Sequence, residues 1–253
     1  MKRIKGLLAL VLSLAVVFTM ALSTSAFAAS AKVPTAGSKT VAKCGTYAVE
    51  TIDNNTRYPF DAIIYQPKGV TPKIGIMFYP GMPVDYRDYG PILKNLASAG
   101  YLVVSCEFPL DTGALNVTAA EEYVARFPNI DEWFLAGHSH GGGCACVEAS
   151  LNIDQWKGLI LMASIPTVLP LPDDYPVLMF HATEDGAVPK RTNVILCAEI
   201  GNTDLTKVTI KGGNHAQFGD YGVQSNDNPS TISAEKQQTI VTTKTLKWLA
   251  KYQ

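Results

Sequence analysis

An apolar run suited to a buried strand, Trp133-Phe134-Leu135-Ala136, ends in Gly137-His138-Ser139-His140-Gly141, and a helix-compatible run from Cys144 to Leu151 follows at once. Strand, tight turn with a serine at its apex, then helix is the order of a nucleophile elbow. The order constrains the whole chain, because a strand that feeds a helix so abruptly needs a sheet to lie in and a helical layer to join. The glycines have a steric role: the crossing strand and helix leave no room for side chains at Gly137 and Gly141, and the serine backbone takes a sparsely populated conformation. The same turn lifts Ser139 clear of the sheet. It also aims the backbone N–H of His140 and the positive end of the helix at any negative charge that forms nearby.

The rest of the chain reads as the layers that this junction requires. Strands are expected at Tyr47 to Ile52 and Phe60 to Tyr65, joined as a hairpin through Asp53-Asn54-Asn55, and at Ile74 to Tyr79, Tyr101 to Cys106, Gly158 to Met162, Val177 to Phe180 and Lys207 to Ile210. Between them fall expected helices at Tyr86 to Ala99, with Pro91 near the first turn and Gly100 as the stop, and at Ala119 to Arg126, Arg191 to Ile200 and Ala234 to Tyr252. Alternation of this kind predicts an α/β fold, a mainly parallel sheet covered by helices on both faces. The connection from Ala163 to Tyr175 is too short for a helical cap, which predicts an open site.

The amino terminus has a different character. Lys2, Arg3 and Lys5 precede an apolar run from Gly6 to Leu22 and a small-residue stretch ending Ala26-Phe27-Ala28-Ala29. Basic start, apolar middle and Ala-x-Ala end predict a signal peptide over residues 1–28, cut after Ala28, and hence a secreted or extracytoplasmic protein with no stable membrane anchor after cleavage. Residues 29–43 read as a linker, and 44–253 as one domain, long enough for a sizeable core. The net charge of −1, less the leader's cations, leaves a mildly acidic chain without a basic stripe, which argues against nucleic acid as a partner. The five cysteines, Cys44, Cys106, Cys144, Cys146 and Cys197, are odd in number and sparse. They read mostly as small buried apolar residues, and Cys144 and Cys146, two apart on a helix, should not pair with each other.

A serine hydroxyl becomes a nucleophile when a base takes its proton, and the base needs a carboxylate to orient it. In a sheet of this kind those partners follow later strands, in the order serine, acid, histidine. Of the four histidines, His138 and His140 are splayed by the turn, and His181 closes a strand. His215, in Gly212-Gly213-Asn214-His215 after the last strand, matches the base. Asp185 matches the acid, with the adjacent Glu184 as the chemically able alternative. The backbone N–H of Met82, on the loop after Ile74 to Tyr79, is expected beside that of His140 as an oxyanion donor; Pro83 has no N–H to offer. Read as metal ligands, His138, His140, Cys144 and Cys146 would diverge on an elbow and helix. The Asn226-Asp227-Asn228 stretch lacks calcium-ligand spacing.

Tyr79-Pro80-Gly81 with Tyr86 to Val104, Gly137-His138-Ser139-His140-Gly141-Gly142 and the long run Gly212-Gly213-Asn214-His215-Ala216-Gln217-Phe218-Gly219-Asp220-Tyr221-Gly222 resemble the α/β-hydrolase superfamily, and within it a compact bacterial group known as alpha/beta hydrolase fold-5. The resemblance implies Ser139 as nucleophile, Asp185 as acid and His215 as base, in agreement with the residue-level reading. His140 departs from it, since Leu or Met is usual after the serine. The expected activity is that of a carboxylesterase-like serine hydrolase, with no metal or organic cofactor, acting on a small-molecule or lipid-like ester. Transfer of the acyl group to another acceptor, or a binding protein that has kept the fold, are the alternatives.

Overall fold

The computed structural model describes residues 47–52, 61–164, 171–188 and 204–253. The expected leader and linker, Cys44 and Cys197, the Asp53-Asn54-Asn55 turn and the Arg191 to Ile200 helix lie outside the described residues. Within them eight strands form one sheet: β1 (Tyr47–Ile52), β2 (Ala62–Pro67), β3 (Ile74–Tyr79), β4 (Leu102–Cys106), β5 (Glu132–His138), β6 (Leu159–Met162), β7 (Val177–Ala182) and β8 (Leu205–Ile210). Their spatial order is β1-β2-β4-β3-β5-β6-β7-β8. β1 pairs antiparallel with β2, and β2 with β4; every other neighbouring pair is parallel.

Period-two alternation sorts each central strand between two cores. From β3, β5 and β7, Met77, Tyr79, Trp133, Leu135, Val177 and Met179 point to one side. Ile76, Phe78, Phe134, Ala136, Leu178 and Phe180 point to the other. Both faces are therefore buried, which is why these strands read as continuous apolar runs. Two helices cover the first face: α2 (Ala119–Val124), through Ala119, Ala120 and Tyr123, and α3 (Ser139–Leu151), through Cys144, Ala145, Cys146 and Ala149. The second is covered by α1 (Gly90–Ser98), through Ile92, Leu93, Leu96 and Ala97, and α4 (Ala234–Leu249), through Val241, Trp248 and Leu249. Cys106, Cys144 and Cys146 are buried free thiols, as their apolar neighbourhoods suggested.

Most boundaries lie within about two residues of expectation; the start of α1 and the segment after β4 differ more, for local reasons. α1 begins at Gly90 rather than Tyr86, with Pro91 in its first turn, where a missing N–H costs nothing. The residues ahead of it close tight turns instead, Asp88 N–H donating to Asp85 O at 3.0 Å. After β4 the chain makes two short 3-10 turns, Pro109–Asp111 and Gly113–Leu115, which no periodicity announces. Residues 163–176 join β6 to β7, and among the described residues no large cap covers the sheet's carboxyl end.

Candidate active site

β5 lies in the middle of the sheet, flanked by β3 and β6. It runs directly into α3, and Ser139 at the junction has φ of 53°. A non-glycine residue in the left-handed region is strained by about 1–2 kcal/mol, and it persists here because the surroundings permit no alternative. A Cβ on Gly141 would sit 2.1 Å from Pro80 O and 2.3 Å from Tyr79 O; one on Gly137 would sit 2.7 Å from the backbone of Gly141. Strand, turn and helix thus pack backbone against backbone. Ser139 remains half-exposed at the carboxyl end of the sheet, where open α/β sheets place their ligands.

Asp185 follows β7 and His215 follows β8, so both side chains arrive at that same end. Asp185 Oδ2 lies 3.0 Å from His215 Nδ1, and both residues are buried. The second carboxylate oxygen, Oδ1, accepts the Val188 N–H at 2.6 Å. With Nδ1–H donated to the carboxylate, the imidazole keeps its Nε2 lone pair for another partner. Glu184, the alternative acid, is turned away: its Oε1 accepts from Thr183 Oγ1 at 2.9 Å. His181 is half-buried within β7, opposite Thr209 of β8.

The two histidines beside Ser139 point to opposite sides. His140 turns toward α3 and the loop after β4; its Nε2 lies 2.8 Å from Thr112 Oγ1 and 3.5 Å from Cys144 Sγ. Burial depresses it to about 4, so it is neutral. His138 turns the other way and is wholly buried, its ring 4.4 Å from that of His215, centroid to centroid. Burial, and then the neighbouring His215, hold its pKa well below the ordinary value. These four side chains, His138, His140, Cys144 and Cys146, therefore do not converge, and among the described residues no cluster of ligands suited to a metal ion is present.

The loop after β3 brings in a residue that no motif flagged. Tyr89, fully buried, accepts the Gly81 N–H at 2.9 Å and lies 2.9 Å from His138 Nδ1. With the Gly81 N–H on its oxygen, the hydroxyl still has its own proton to donate to His138 Nδ1. Met82, the next residue, is half-buried, and among the described residues its N–H meets no protein acceptor. His140 N–H lies in the first turn of α3, where backbone donors have no intrahelical partner. Two further side chains hold the histidine loop from outside. Gln237 of α4 accepts from Asn214 N–H at 3.0 Å and donates to Asn214 O at 2.8 Å. Asp227 accepts the Ala216 N–H at 2.8 Å.

A profile described as the alpha/beta hydrolase family matches residues 75–239. No curated protein matches the chain. Among solved structures, Est1E from Butyrivibrio proteoclasticus is similar with a TM-score of 0.58 at 19% identity, over 80% of this chain and 99% of that one. A thermophilic esterase of Thermogutta terrifontis, Est2, with propionate bound, has a TM-score of 0.61 at 15% identity, over 81% of this chain and 94% of its own. The same esterase phosphoramylated by tabun has a TM-score of 0.58 at 16% identity, with the same coverage. At these identities the likeness concerns the fold.

Proposed function

The chain belongs to the alpha/beta hydrolase family, and we propose that it is a serine hydrolase that cleaves a carboxylic ester or related acyl bond through Ser139, His215 and Asp185. The observation that carries this reading is the buried Asp185–His215 pair, delivered by two successive strands to the end of the sheet where Ser139 stands in strained geometry. His215 Nε2 takes the Ser139 proton as Oγ attacks the acyl carbon. The N–H groups of Met82 and His140 hold the oxyanion, and Asp185 stabilises the imidazolium. His215 then protonates the leaving group. Water, deprotonated by His215, releases the acid and restores Ser139.

The ligand class to try first is small. Est1E has been seen with ferulic acid and Est2 with butyrate, and the short β6–β7 connection, with no large cap among the described residues, suits an open approach for similar acyl groups. Among the described residues no helix is long and apolar enough to cross a membrane. The basic, apolar and Ala-x-Ala order of residues 1–28 supports export of a domain spanning 44–253, which N-terminal sequencing of the protein from its own host would check.

The direct test is hydrolysis of p-nitrophenyl esters from acetate to octanoate by wild type and Ser139→Ala, with fluorophosphonate labelling alongside. Turnover and labelling that both depend on Ser139 support the proposal. An unchanged rate in Ser139→Ala sinks it. Labelling without hydrolysis, together with product formation when an alcohol acceptor is added, would favour acyl transfer; neither labelling nor turnover would favour a binding role.

A further inference from the structure

The segment 221–230 packs over the two loops that carry the acid and the base, and one of its side chains grips both. Asp227 Oδ1 accepts the N–H of Gly186, the residue after Asp185, at 2.9 Å. Asp227 Oδ2 accepts the N–H of Ala216, the residue after His215, at 2.8 Å. The same Oδ1 also accepts the N–H of Asn228 at 2.9 Å, which fixes the carboxylate plane against its own backbone. Gly186 belongs to this contact: a Cβ there would lie 2.8 Å from Asn226 O and 2.9 Å from Asn228 N. A further bond, Asn214 Nδ2 to Asn228 O at 2.8 Å, ties the segment to the residue before His215.

On the triad reading above, we propose that Asp227 is a positioning residue that sets the geometry of the Asp185–His215 pair by holding the main chain one residue beyond each. Hydrogen bonds from backbone N–H to a carboxylate are stronger than neutral ones. Two of them to a rigid three-atom group fix the spacing of the loops in a way that a single bridge cannot. The loops do have direct bridges, Glu184 N–H to Gly213 O at 2.9 Å and Gly212 N–H to Thr183 Oγ1 at 2.8 Å, but both lie on the upstream side of Asp185 and His215. With those bridges alone the downstream sides of the loops can pivot; with Asp227 they are held on both sides.

The test compares wild type with Asp227→Ala and Asp227→Asn by two readouts. In Asp227→Ala, kcat should fall roughly 10- to 100-fold with KM nearly unchanged, since a displacement of the order of an ångström costs up to about 100-fold. Asp227→Asn keeps the shape but can accept on one side only, and should fall between. The second readout needs no turnover: the low-field proton resonance of the His215 Nδ1–H in its bond to Asp185 should shift or broaden in Asp227→Ala, although neither partner has changed. A resonance that stays in place in a folded variant overturns the inference, whatever happens to stability. If the esterase reading fails, the resonance still decides; if Asp227→Ala does not fold, Asp227→Asn carries both measurements.

Discussion

The rings of His138 and His215 lie against each other, their centroids 4.4 Å apart and their planes inclined by 43°. His138 is in turn joined to Tyr89, whose oxygen holds the Gly81 N–H. The residue ahead of Ser139 therefore connects the loop after β3 to the histidine after β8. Because burial keeps His138 neutral, it supports the His215 ring without adding a competing positive charge beside the group that becomes cationic in the proposed reaction.

Tyr89→Phe removes the hydroxyl at the centre of this chain and leaves two buried groups, Gly81 N–H and His138 Nδ1, without partners. The stability cost should be about 1–3 kcal/mol, measured by urea denaturation. The loop carrying Met82 should loosen as well, lowering kcat by roughly 10-fold, less than the loss expected on deleting an oxyanion donor outright. Unchanged kcat in a destabilised Tyr89→Phe would mean that the hydroxyl serves the fold alone.

Asp185 and Glu184 are neighbours, and one pair of substitutions distinguishes them. Asp185→Asn should lower kcat by roughly 10³- to 10⁴-fold, since an amide opposite Nδ1 favours the wrong imidazole tautomer. Glu184→Gln, at a carboxylate that meets only Thr183 among the described side chains, should stay within about twofold of wild type, a range typical of surface substitutions. The reverse ranking in steady-state kinetics would reassign the acid.

What the chain revealed beforehand follows from how local each signal is. The strands of the central sheet and the elbow were legible because their patterns repeat every two residues or fill one pentapeptide. His215 could be found because the order of partners in such a sheet is set by topology. Asp185 was preferred to Glu184 on its place in the turn, but two adjacent carboxylates differ in the direction each side chain takes, and it is the coordinates that put Asp185 against His215 Nδ1. Tyr89 and Asp227 could not be found from pattern: Tyr89 meets a residue 49 positions away, and Asp227 reaches back 41 positions to Gly186. The only signal for Asp227 was its place in an Asn-Asp-Asn turn, which fits a solvated loop equally well. The early start expected for α1 failed because Tyr86 and Tyr89 bury their rings from the turn ahead of the helix, Tyr89 serving as its N-cap and accepting the Leu93 N–H at 3.1 Å.

The elbow makes a sharp steric prediction. In Gly141→Ala the new methyl would meet two carbonyl oxygens of the main chain at under 2.5 Å, and backbone cannot step aside as a side chain does. A loss of more than about 3 kcal/mol is expected, read as a drop in the thermal midpoint or as failure to fold. Gly222→Ala is the control: φ of 87° strains an alanine, but nothing lies within 4 Å of its Cβ. It should cost only about 1 kcal/mol. A loss at Gly141 no larger than at Gly222 would mean that the main chain of Tyr79 and Pro80 does yield to a methyl group, since the helical backbone of Gly141 suits alanine by itself.

Glu148, on the same helix as Ser139, should make stability depend on pH. It is buried; Oε1 accepts from Trp156 Nε1 at 3.0 Å and Asn152 Nδ2 at 3.2 Å, while Oε2 has no partner among the described residues. Burial pushes its pKa up to about 7 against the pull of the Asn152 and Trp156 bonds. A raised carboxyl pKa means that, between the ordinary value of 4.5 and about 7, the folded chain keeps a proton that the unfolded chain has released. Stability from this group is therefore full below 4.5, falls as pH rises toward 7 and then levels off. Asp88, raised to about 6 by burial and by Asp85 and Asp220, contributes in the same sense. His140 opposes both: between about 4 and 6.5 the unfolded chain takes up a proton that the folded one refuses, so its contribution weakens as pH falls. The wild-type profile mixes these slopes, and Glu148→Gln isolates one of them. Relative to wild type, that variant should gain roughly 2 kcal/mol in urea denaturation between pH 5 and pH 8. A difference between the two proteins that is the same at both pH values would show that Glu148 does not change charge over this range in the fold.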